Sequence, residues 1–213
     1  TEERGLLHKI NVYNKEGNLI DLNSYNSILF TVRGQHDSNA REEFTFFDLL
    51  LEEKTLINPR IVTVDDLQLN FINYTRDIKA LNEEKLDSSN KLISIYHQPI
   101  MENGVFVDGL VLKNYIKPDE VGIFNNVDLA VINDIHMPMP IRELITGYTR
   151  TTILTPGSIG RTSFSPSHDR DYANLVHIEY NEGKLFGDYL EMELKPREEF
   201  FDKVKIVNKI KNN

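Results

Sequence analysis

Short apolar runs closed by polar turns govern the first two thirds of the chain. Ser27-Ile28-Leu29-Phe30-Thr31-Val32 predicts a strand over 27–33, running straight into the turn Gly34-Gln35-His36-Asp37. Beyond it, Ser38 and Asn39 can cap a helix over 41–53, where Phe44, Phe47, Leu50 and Leu51 recur at helical spacing. Residues 61–64 and 67–74 read as strands joined near Asp65-Asp66. Thr75 then caps a second expected helix reaching Leu86, with Ile78 and Leu81 inward and Glu83-Glu84 outward. Residues 91–96 predict another strand, ending at His97-Gln98-Pro99, where the proline keeps Gln98 out of helical geometry. The apolar density of 127–132 predicts a strand buried on both faces. It leads into Asn133-Asp134-Ile135-His136, and Met137-Pro138-Met139-Pro140 forbids an immediate helix.

From about residue 141 the pattern changes to that of hairpins. Residues 151–155 form a strand closed by Pro156-Gly157-Ser158, residues 174–180 form another, and Asn181-Glu182-Gly183 turns the chain into an alternating strand over 184–194. Phe200, Val204, Val207 and Ile210 make a stripe on a terminal amphipathic helix over 198–211, which could equally begin a cap domain. Residues 1–27 read as a short helix or irregular entry with a turn at Gly17, and the elements of 100–119 stay untyped. The expected fold class is therefore α/β: a mixed sheet from the first half packed against a more antiparallel sheet from the second, flanked by helices.

The 213 residues suffice for one well-buried domain with a small appendage, assigned here as 1–197 and 198–213. No apolar stretch is long enough to span a bilayer, and Thr1-Glu2-Glu3-Arg4 does not open a secretory signal, so a cytoplasmic setting is expected. The absence of cysteine removes thiolate chemistry. Any metal must be held by imidazole, carboxylate or carboxamide, which favour Mn, Mg, Fe or Zn. A net charge of -9 argues against coating nucleic acid by bulk electrostatics. It leaves room for a nuclease, whose acidic site reverses sign once cations bind.

Three strand ends carry the candidate chemistry: Gly34-Gln35-His36-Asp37, His97, and Asp134 with His136. Ligands gather where strands of an open sheet end, so three such clusters can converge on one metal site. The plainer alternative is that these histidines are ordinary polar residues closing strands. His8, His168 and His177 join no cluster and read as structural.

The order of these clusters resembles the calcineurin-like metallophosphoesterase superfamily, and within it the SbcD-type DNA-repair exonucleases and their phage relatives. That family carries Asp-x-His, Gly-Asp-x-x-Asp, Gly-Asn-His-Asp, a lone His after a strand, and Gly-His-x-His. Gly34-Gln35-His36-Asp37 is similar to the third motif, His97 to the fourth, and Asn133-Asp134-Ile135-His136 to the fifth. Pro156-Gly157-Ser158-Ile159-Gly160-Arg161-Thr162-Ser163 resembles the Pro-Gly-Ser segment of nuclease members. Neither of the first two motifs precedes Ser27, where the family order would place them. Gln35 replaces the usual Asn and can offer the same carbonyl oxygen, while Asp134 replaces a His and makes the site more anionic.

The resemblance implies a two-metal site holding Mn, with Gln35, His97, Asp134 and His136 as ligands. It gives His36 a role at the leaving oxygen, Asp37 the orientation of that imidazole, and Arg33 and Arg161 contacts to DNA. It further implies DNA as substrate, a second polypeptide or segment carrying the missing motifs, an SbcC-type ATPase partner, homodimerisation and no membrane. Two alternatives stay open: a non-catalytic scaffold or protein-binding module, and a phosphatase acting on small phosphoesters.

Overall fold

A computed structural model describes residues 10–22, 29, 30, 32, 34, 56–81, 85–87, 89–102, 115–119, 122–146, 149–158 and 170–194. Their centre is a seven-stranded mixed sheet, in the order β1 (Ile10–Tyr13), β4 (Ile61–Val64), β5 (Leu67–Ile72), β6 (Lys91–Tyr96), β7 (Leu129–Ile132), β9 (Thr149–Thr155) and β8 (Met139–Thr146). Strands β5, β6, β7 and β9 are mutually parallel, and antiparallel neighbours flank them on both sides. Two smaller pieces complete the description: β2 (Leu29–Phe30) beside β3 (Leu56–Ile57), and the long hairpin β10 (Tyr172–Asn181) with β11 (Lys184–Glu193).

Alternation along the central strands sends apolar side chains to both faces. Leu92, Tyr96, Ala130, Ile132 and Ile153 point one way and are covered by Ile100, Met101, Ile116, Ile123 and Phe124, all from the chain between β6 and β7. Tyr96 and Phe124 meet edge-to-face at 5.8 Å, and the Tyr96 hydroxyl donates to the Ile123 carbonyl. Ile93, Leu129, Val131 and Leu154 point the other way, onto Val176, Ile178, Leu185 and Tyr189 of the hairpin. Gly187 is the contact point of that packing. A β-carbon there would stand 2.7 Å from Leu129 Cδ1 and 2.9 Å from Leu154 Cδ1. The hairpin turns through Glu182 (φ 51°) and Gly183 (φ 74°), the two left-handed residues that match the twist of paired strands.

The α/β expectation is overturned. The described residues are mostly strand, and the flanking helices are not seen: Ile78–Leu81, a single 3-10 turn, is the one helical element described along its whole length. The cap is Asp77 rather than the expected Thr75: the Asp77 carboxylate accepts from the Lys79 N–H, while the Thr75 hydroxyl accepts from the Asp77 N–H in the turn before it. Lys85 and Leu86, inside the expected helix, are not helical and are held by distant residues. Lys85 reaches the Asp128 carboxylate at 3.0 Å, and the Leu86 N–H donates to the buried Gln68 carboxamide at 2.8 Å. Among the described residues, the face expected to lie under helices is covered by Ile100, Met101, Ile116, Ile123 and Phe124, none of them in a regular helix, with Ile100 and Ile116 joined by an isolated bridge.

Two further corrections concern strands. In the described part of the entry, 10–22, which reads in sequence as a short helix or irregular chain, a strand stands instead: β1 pairs with β4 and buries Val12 completely, and the predicted turn at Gly17 follows it (φ 81°). Residues 139–146, of which the sequence types only the start and only as non-helical, form edge strand β8. Strands β8 and β9 therefore join the seven-stranded sheet and, of the second half's strands, the β10–β11 hairpin alone makes a separate antiparallel sheet among the described residues. The helices expected over 41–53 and 198–211 lie outside the described residues. Among those residues no helix is long and apolar enough to cross a membrane.

Candidate metal centre

Register places the candidate residues side by side. Tyr96, the last residue of β6, pairs with Ile132, the last of β7, and the Asn133 N–H donates to the Tyr96 carbonyl at 2.9 Å. Two parallel strands that end in register must release their chains at one edge of the sheet, which is where an open sheet accepts ligands. His97 Nε2 and Asp134 Oδ1 meet there at 3.5 Å. The carboxylate is mostly enclosed, its side chain 11% exposed. A carboxylate so withdrawn from water calls for a cationic neighbour.

The third strand-end cluster reaches the same place. Gly34, four residues beyond β2, is buried and lies against the imidazole, since a β-carbon on it would be 2.6 Å from His97 Nε2 and 2.8 Å from Cε1. Absence of a side chain at position 34 therefore makes room for His97. From the other side Gln98, 1% exposed, fixes the loop by donating to the carbonyls of Asn73 and Thr75 at 3.3 and 3.2 Å. The strand end after β5 and the strand end after β6 are thus bonded through the residue next to His97.

His136 is exposed and is held through its main chain. Its carbonyl accepts the Ser158 N–H at 3.0 Å, which stacks the Pro156-Gly157-Ser158 turn on the loop after β7. Of the predicted ligands, the structure brings His97 and Asp134 together. It does not group His136 with them: among the described residues, no set of three His, Asp or Glu side chains could hold a metal. Gln35, His36, Asp37, Arg33 and Arg161 lie outside the described residues.

The donor chemistry of the pair suits a divalent cation. One imidazole nitrogen and one carboxylate oxygen at 3.5 Å are close to the donor–donor edge of about 3 Å found around one Zn or Mg ion. His97 and Asp134 could therefore both hold a metal, with further donors needed to complete its shell. Sequence reasoning missed Gln98, Arg170 and Tyr189, which position these loops. A glutamine ahead of a proline signals only extended chain, and nothing local marks Arg170 or Tyr189.

No protein-family model matches the chain, and no curated protein matches it.

Proposed function

We propose that this chain supplies part of the metal site of a metal-dependent phosphodiesterase acting on DNA, of the SbcD exonuclease type, working in the cytoplasm. The observation that carries the reading is the His97–Asp134 pair at 3.5 Å under Gly34, because it joins three motif positions at one sheet edge. His97 and Asp134 hold Mn, and Gln35 and His136 are the further ligands that the family resemblance assigns. When bound, the metal polarises the phosphoryl oxygens and lowers the pKa of the attacking water. His36 protonates or stabilises the leaving oxygen, Asp37 orients its ring, and Arg33 and Arg161 bind the DNA backbone. The two absent motifs come from a second polypeptide or segment. An SbcC-type ATPase and a second copy of the chain are the expected partners.

A second reading rests on the same distance. At 3.5 Å His97 and Asp134 can also form a plain ion pair tying two strand ends in a non-catalytic scaffold.

Mn-dependent cleavage of linear duplex DNA separates the two. The chain alone should cleave poorly, and a fragment carrying Asp-x-His and Gly-Asp-x-x-Asp should restore cleavage. His36→Ala in the reconstituted pair should lower turnover about 10²-fold with metal content intact. No cleavage after reconstitution favours the scaffold.

A further inference from the structure

Among the described residues, one face of the hairpin is covered and the other is not. Val176, Ile178, Leu185 and Tyr189 pack on the sheet, so strand alternation turns Leu175, Phe186 and Leu190 the other way, where they are 39%, 58% and 53% exposed. Leu175 and Leu190 stand directly opposite each other, and Phe186 follows on the same face, across from Glu179. Large apolar side chains gathered on the outside of a two-stranded ribbon mark a surface that takes a cover. Burial on this face rises toward the open end of the hairpin, where Ala173, opposite Met192, is fully buried. The chain leaves from that end, after Leu194, whose N–H donates to the Asp171 carbonyl at 2.8 Å.

The segment that follows fits this face in length and in charge. Pro196, within Lys195-Pro196-Arg197, ends the strand and lets the chain turn back. A helix carrying the stripe Phe200, Val204, Val207 and Ile210 would hold its first and last members about 15 Å apart. Leu190 and Phe186 are about 13 Å apart along β11. Laid antiparallel to β11, the stripe starts over the Leu175–Leu190 pair and reaches Phe186. Charge runs the same way: Lys203, Lys205, Lys209 and Lys211 fill the later part of the segment, with no acidic residue after Asp202. Toward its turn the hairpin exposes Glu179, Glu182 and Asp188, which outweigh Lys184.

We propose that residues 198–211 dock as a helix on the outer face of the hairpin, with the apolar stripe against Leu175, Phe186 and Leu190 and the lysines beside Asp188, Glu179 and Glu182. The hairpin is then a middle layer, with the seven-stranded sheet on one side and the helix on the other. The chain after residue 197 belongs to the same domain and does not begin a cap domain. This inference is independent of the proposed metal centre, since none of these residues lies at the sheet edge that carries His97 and Asp134.

The sequence has no cysteine, so engineered pairs in the full chain report directly which residues meet. Phe200→Cys with Leu190→Cys and Ile210→Cys with Phe186→Cys are the matched pairs; Phe200→Cys with Phe186→Cys and Ile210→Cys with Leu190→Cys are the crossed ones. Disulfides demand close approach of the two backbones, so mild oxidation should join the matched pairs within one chain about 10-fold faster than the crossed pairs. Trypsin cleavage at Lys203 and Lys205 is the second readout, in the wild type and in Leu190→Asp and Phe186→Asp, with folding checked by circular dichroism. Each substitution should speed that cleavage about 10-fold or more, because it removes a buried apolar contact of the docked helix. Crossed pairs that close as fast as matched ones overturn the proposal, as does unchanged cleavage in both folded variants. Disulfides that form only between chains show a second copy on this face and overturn it too. Should the aspartate variants fail to fold, the cysteine pairs decide alone.

Discussion

Gly34 packs face-on against the His97 imidazole, closer than any β-carbon could lie. The crowded atoms belong to the far end of a side chain, so Gly34→Ala would be relieved by moving the ring rather than the backbone. The expected outcome is a folded protein of nearly unchanged stability in which His97 has left Asp134. Mn affinity should fall about 10-fold or more. Melting curves and Mn titration of the same sample check both halves of that expectation.

At the opposite edge of the sheet, Asp128 accepts the Leu92 N–H and the Lys91 ammonium at 2.9 Å, and the Lys85 ammonium at 3.0 Å. Burial raises its pKa, but the Leu92 N–H, Lys91 and Lys85 together outweigh burial and hold it below its ordinary 3.8. A depressed carboxyl contributes stability that is full above the unfolded value and lost as pH falls through the folded one. Asp128→Asn should cost about 1.5–3 kcal/mol at pH 7. Urea unfolding should show that gap between wild type and variant closing as the pH is taken well below 3.8.

Tyr189 gives the alkaline counterpart. Burial pushes its phenol above the ordinary 10.0, against the opposing effects of the Thr155 N–H and Arg142. Above pH 10 the unfolded chain ionises this group first and binds fewer protons than the native state, so stability should fall as pH rises. Tyr189→Phe should flatten that part of the profile. Unfolding midpoints between pH 9 and 11, bracketing the ordinary value of about 10, measure it.

Gly187→Ala tests how the hairpin sits on the sheet. The added methyl would press on Leu129 Cδ1 and Leu154 Cδ1, both on side chains that are buried and packed. Overpacking of this kind costs about 1–3 kcal/mol. Denaturant unfolding should register it, and a loss below about 0.5 kcal/mol would mean that the leucines repack freely.

The strands most legible in the sequence were those where one short apolar run lies between strong turn signals, such as Ile61–Val64, Lys91–Tyr96 and the two arms of the hairpin. Strand ends were legible for the same reason, and they carried His97 and Asp134 to one place. Helix 75–86 was misread because cap and periodicity are local, whereas the attractions of Asp128 for Lys85 and of Gln68 for the Leu86 N–H come from residues distant in the chain. Strand β8 was obscured by Pro140. A proline is tolerated there because β8 is last in the sheet order, where one side of the strand needs no ladder bond. Arg170 was invisible because Ser158, whose carbonyl and hydroxyl accept from its guanidinium, lies in a turn that carries no acidic residue to mark a partner.

The hairpin also sets an order of events in folding. All of its pairings, from Asn181 with Lys184 outward to Tyr172 with Glu193, join residues close in sequence, whereas Val12 must find Val62 across a long stretch of chain. Hairpins close in roughly microseconds, but a two-stranded ribbon alone is barely stable in water. This ribbon therefore forms early, dissolves and re-forms until the parallel strands offer Leu129 and Leu154 to Gly187. The Tyr189 hydroxyl bridges Thr155 and Met139, so its two hydrogen bonds require β8, β9 and the hairpin to be in place together.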